Sequence, residues 1–61
     1  MLSYQELERQ LEKAEAYAKQ LEKAMLKSST SEESDIIIKE QMENDNKIMG
    51  IKENMKKLEQ N

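Results

Sequence analysis

Glu40, Glu43 and Asp45 stand close enough along the chain to be weighed as oxygen ligands for a hard cation. Ser29 and Thr30 each precede a glutamate by three residues, Glu32 and Glu33, which is the spacing of an acidophilic phosphorylation site. Neither arrangement has what its chemistry requires. A calcium loop alternates its ligands around a sharp glycine turn, and none surrounds the three carboxylates. The hydroxyl residues read more simply as helix caps. The chain has no His and no Cys, which removes the common transition-metal ligands and the usual nucleophile–base pairs. Its carboxylates fall mostly on helix faces open to water, whereas general acid–base work needs a pocket that shifts a pKa. The sequence therefore predicts no enzyme, no cofactor and no metal.

The charges exclude further classes. Ten basic residues stand against 13 acidic ones, for a net charge of −3. Residues 1–27 and 36–61 are each balanced, so the excess comes from Glu32, Glu33 and Asp35 between them. Neither arm is a basic patch, and Lys13, Lys23 and Lys27 are too interleaved with glutamate to form a cationic face for RNA. The longest apolar run near the middle is Ile36–Ile38, far short of the roughly 18 residues of a membrane span. No basic segment followed by an apolar one opens the chain as a secretory signal would. The expectation is a cytoplasmic protein whose partner is another protein or itself, with no nucleic acid and no membrane.

The elements that must present any such surface are helices. Tyr4, Leu7, Leu11, Ala14, Ala18, Leu21 and Met25 recur at alternating spacings of three and four, one stripe of an α-helix with heptad character. Ser3 and Glu6 have the spacing of a capping box, and Leu2 with Leu7 that of a hydrophobic staple. Between Tyr4 and Lys27 there is no Gly, Pro or β-branched residue. A helix is predicted over about 3–27. The Ser/Glu-rich stretch that follows breaks it, because small hydroxyl side chains compete for backbone hydrogen bonds. Thr30 and Glu33 offer a second capping box, so a second helix is predicted over about 31–58, after a connection at about 28–31. A connection that short favours an antiparallel hairpin; the alternative is one continuous helix with a weak middle.

The second helix repeats the rhythm in Ile37, Gln41, Asn44, Ile48, Ile51, Met55 and Leu58. Beside it runs a shorter stripe of Ile38, Met42 and Met49. Together they are wider than one neighbouring helix can cover, which argues for a third contact. Gly50 lies within this face and implies either a bend or the close approach of another backbone. Asn44, at a seam position, either fixes register or faces solvent. The methionines suit core packing in a hairpin or its dimer, and equally an adaptable groove for a partner.

The fold class predicted is all-α: a coiled-coil-like antiparallel two-helix hairpin, completed to a bundle by dimerisation or by a partner helix. The predicted interaction residues are Leu7, Leu11, Ala14, Ala18, Leu21 and Met25 on the first helix. On the second they are Ile37, Ile38, Met42, Ile48, Met49, Ile51, Met55 and Leu58.

Leu7-Glu8-Arg9-Gln10-Leu11, followed by Gln20-Leu21-Glu22-Lys23-Ala24-Met25, resembles the first helix of the small hairpin co-chaperones of type III secretion needle subunits. The resemblance is confined to the first helix. It implies a cytoplasmic hairpin that pairs with a tetratricopeptide-like chaperone to keep a needle protein unpolymerised, with Leu7, Leu11, Leu21 and Met25 as docking positions. The competing expectation is a small bacterial or phage regulator that inhibits an enzyme or a transcription factor through the same Ile/Met face.

Overall fold

The computed structural model describes residues 3–60. Two helices account for nearly all of it: α1, Tyr4–Lys27, and α2, Ser31–Glu59. Early residues of α1 meet late residues of α2. Tyr4 donates a hydrogen bond to Glu59 Oε1 at 2.7 Å, and at the other end the Ser28 and Ser34 hydroxyls lie 2.9 Å apart. The chain is thus an antiparallel hairpin, a rod with principal extents of 47 × 15 × 14 Å.

Each helix starts where its hydroxyl cap places it. Ser3 Oγ accepts from the Glu6 N–H and Thr30 Oγ1 from the Glu33 N–H, both at 3.2 Å. The predicted staple partner Leu2 lies outside the described residues. The second capping box differs from expectation in its return bond. The Glu33 carboxylate accepts the N–H of Ser29, one residue before the cap, and so ties down the connection rather than the cap itself.

The connection needs neither Gly nor a left-handed residue. Ser28 and Thr30 are both extended, with φ/ψ of −67/135° and −128/155°. Ser28 closes α1 by donating both its N–H (3.3 Å) and its hydroxyl (2.8 Å) to the Met25 carbonyl. Side-chain oxygens thus do the work that a glycine cap does in many hairpins. That is why the chain turns here instead of continuing as one helix.

The seam follows the two heptad series. Leu7, Ala14 and Leu21, seven residues apart, are buried on α1. Asn44 and Ile51 are buried on α2, with Ile37 and Leu58 half-buried at the same spacing. Tyr4, Leu11, Ala18 and Met25 flank the first series, and Gln41, Ile48 and Met55 the second, all half-buried. The main apolar cluster sits in the half nearer the termini, where Leu7, Ala14 and Ile51 pack with Leu11, Ile48, Met55 and Leu58. Towards the connection Leu21, Met25 and Ile37 share the seam with smaller or polar groups, Ala18, Gln41, Ser28 and Ser34. The core is small, as expected for a chain of this length.

Candidate protein-interaction surface

The two sides of the seam differ in chemistry. On one flank Tyr17 donates a hydrogen bond to Glu40 Oε2, above a hollow bordered also by Glu43 and Lys47. On the other flank Glu22 of α1 and Asp45 of α2 border a notch of about 230 Å³, floored by Ala18, Gln41 and Asn44. The notch exists because alanine stands at mid-seam where a leucine would fill the space. Near the connection a shallow groove of about 420 Å³ is lined by Ala24, Lys27, Ser28, Glu33, Ile36 and Ile37.

Eleven of the 14 residues expected at an interaction surface lie in the hairpin's own seam. Leu7, Ala14, Leu21 and Ile51 are buried there; Leu11, Ala18, Met25, Ile37, Ile48, Met55 and Leu58 are half-buried. The other three, Ile38, Met42 and Met49, are exposed, the methionines by 64% and 63%. Heptad spacing puts them on the Asp45 flank, since Ile38, Met42, Asp45 and Met49 run at intervals of four, three and four. The hairpin has no element left to cover them.

Sequence reasoning passed over Leu26 and Ile36. Leu26 is 88% exposed, and Ile36 is also solvent-facing. Leu26 belongs to neither seam series, and its signal was that very absence: it is the one Leu, Ile or Met of α1 that lies off the seam. It continues the row Glu8, Glu12, Glu15, Lys19, Glu22, spaced by four, three, four and three, onto the flank that carries Met42.

The geometry decides two questions within the hairpin that the sequence left open. Gly50 lies in the uninterrupted helix α2, and a Cβ built there meets nothing within 4 Å. No other part of the hairpin approaches it. Asn44, left open between register and solvent, is buried and donates its amide N–H to the Ala14 carbonyl at 2.8 Å.

The titratable groups that stand out are the two phenols. Each has a raised pKa, first because its hydroxyl donates to a carboxylate, Glu59 for Tyr4 and Glu40 for Tyr17. Partial desolvation and the negative charge of those glutamates, with Glu8 or Glu43 nearby, push in the same direction. Glu40, one of the three carboxylates weighed as cation ligands, is therefore engaged with Tyr17. Among the described residues no cluster of three or more His, Cys, Asp or Glu side chains is arranged to hold a metal. Nor, among them, is any helix long and apolar enough to cross a membrane. Comparison with protein-family models, with curated proteins and with solved structures finds no match for this chain.

Proposed function

We propose that this chain is a non-enzymatic protein-interaction module of the cytoplasm, which binds another protein by helix–helix packing in the manner of a small chaperone or adaptor. The observation that carries this reading is the exposed apolar row Ile38, Met42 and Met49 beside Leu26. A hairpin this small gains little from its own core, so exposed Ile and Met side chains on a rigid helix are costly unless they are covered in use. Methionine suits the role because its flexible side chain adapts to an incoming surface.

The resemblance to needle-subunit co-chaperones supports the chaperone form of this reading, with one change. Leu7, Leu11, Leu21 and Met25, the docking positions it implies, lie within the intramolecular seam. Docking therefore falls to the outer row of α2.

The test is quantitative capture from the source organism's extract, with the wild-type chain and a Met42→Asp/Met49→Asp variant as baits. A protein retained by the first and lost by the second, while both baits stay helical by circular dichroism, supports the reading. Identical retention by both would sink it.

A further inference from the structure

Resting on that reading, we infer that the occupant of this flank is an amphipathic helix with an apolar stripe and a cationic edge, one Lys or Arg of which seats in the notch between Glu22 and Asp45. The flank is made of two parallel rows. The α2 row offers Ile38, Met42 and Met49, interrupted by Asp45, and continues at the same spacing to Lys52 and Lys56. These lysines lie toward the Glu8 end of α1, so the acidic stretch of the flank is the one around Glu15, Glu22 and Asp45. The α1 row offers Glu8, Glu12, Glu15 and Glu22, with Lys19 as its only base, and ends on Leu26. All of these side chains are exposed. An apolar stripe bordered by carboxylates on a neighbouring helix is complementary to a helix whose own stripe is bordered by cations.

The notch adds geometry to charge. Glu22 and Asp45 reach it from different helices, and Gln41 and Asn44 provide polar groups at its floor. A guanidinium or ammonium entering past Met42, the exposed residue next to Gln41 in α2, would meet two carboxylates while its alkyl stem lies along that methionine. The opposite flank is built otherwise: Tyr17 already engages Glu40, and Lys47 lies beside them.

A second copy fits this flank poorly. The Asn44–Ala14 bond puts Glu15 and Asp45 close to the same level, and both lie near the middle of their helices. Two copies related by a centred two-fold axis would meet carboxylate to carboxylate there, whether they run parallel or antiparallel.

The experiment uses a labelled synthetic helical peptide of about 20 residues, long enough to span about 30 Å. It carries Leu on one stripe and Lys on its borders; a twin carries Glu in place of Lys. Fluorescence anisotropy reads binding to the full chain. Saturable one-to-one binding of the Lys peptide is expected, at least about tenfold tighter than the twin. Glu22→Lys/Asp45→Lys should weaken it by about tenfold or more, and the uncharged pair Glu22→Gln/Asp45→Asn by less. Glu43→Lys/Glu53→Lys, with the same change in net charge but off the flank, should stay within about twofold. Equal losses in the flank and off-flank variants would overturn the site, and equal affinity for both peptides would overturn the cationic partner. A dimer by light scattering that Met42→Asp dissociates would give the flank to a second copy. If the peptide fails while Met42 and Met49 still govern capture from extract, the cationic helix is refuted and the interaction module stands.

Discussion

The Asn44 side-chain amide donates to the backbone carbonyl of Ala14 across the middle of the seam, at 2.8 Å, and Asn44 is only 7% exposed. The bond is possible because Ala14 is small enough to let a polar side chain reach the neighbouring helix backbone. A buried amide left unpaired would cost more than the bond contributes, so the pair acts chiefly by penalising every other register. Sliding α2 by one heptad would remove Asn44 from Ala14 and set it against Leu7 or Leu21, neither of which offers an accessible partner. One hydrogen bond thus fixes the level at which Met42, Asp45 and Met49 stand against the α1 row.

Asn44→Asp should destabilise the hairpin at neutral pH by about 2–4 kcal/mol, since it buries a carboxylate against a carbonyl oxygen and removes the donor. Acidification should restore much of the loss, because a protonated carboxyl can donate to Ala14 as the amide does. The sign follows from burial. The new carboxyl has a folded pKa above its unfolded value of about 3.9, so stability is fully present below that value and is lost as pH rises through the folded pKa. Urea melts between pH 3 and pH 7, referenced to wild type, read this directly. A variant equally stable at both ends would mean that Asn44 is not buried against Ala14.

Leu7 and Leu26 are the same residue type on the same helix with opposite roles. Leu7, 2% exposed, anchors the main apolar cluster, and its replacement by Ala should cost about 2–4 kcal/mol. That is a large share of the roughly 3–9 kcal/mol a chain of this size can have. Leu26→Ala should change stability by no more than about 0.5 kcal/mol. Its effect should appear in partner binding instead. Chemical denaturation of the two variants side by side distinguishes a seam residue from a surface one.

Both helices and the hairpin were legible because the signals were local: a 3–4 stripe on each segment, and hydroxyl caps at Ser3 and Thr30. The seam residues were legible for the same reason, since heptad spacing dictates which side chains share a stripe. Which of two adjacent stripes on α2 would be covered was harder to read. Ile38 and Met42 are as apolar as Ile37 and Ile48, and only the partner helix decides between them. The fate of Asn44 depended on Ala14, thirty residues away, and no local rule joins the two. The tyrosine–glutamate pairs were invisible for the same reason: each joins residues that meet only once the chain has folded back.

Gly50→Ala should stabilise the protein. The position is exposed within α2, an added Cβ meets nothing within 4 Å, and glycine in a helix interior costs about 1 kcal/mol relative to alanine. In a domain of this size that gain corresponds to a rise in Tm of roughly 4–8 °C. Thermal melts followed at 222 nm give the answer. A gain in Tm accompanied by weaker partner binding would mean that the glycine is kept for close approach of the partner's backbone.

Tyr4 and Tyr17 make alkaline pH the last test of the antiparallel pairing. Each phenol donates to a carboxylate of α2, and this bond favours the protonated form, raising both pKa values above 10.0 in the folded chain. A raised folded pKa means that the stabilisation is fully present below the unfolded value of about 10 and is lost as pH rises through the folded one. Phenolate absorbance should therefore appear at higher pH in the folded protein than in urea. Lysines also deprotonate in this range, so the comparison that matters is with Tyr4→Phe/Tyr17→Phe. That variant should be less stable at neutral pH and should lose less of its remaining stability above pH 10. Should the two phenols titrate alike in folded and denatured protein, Tyr4 does not meet Glu59, nor Tyr17 Glu40, and the alignment of α1 against α2 would have to be redrawn.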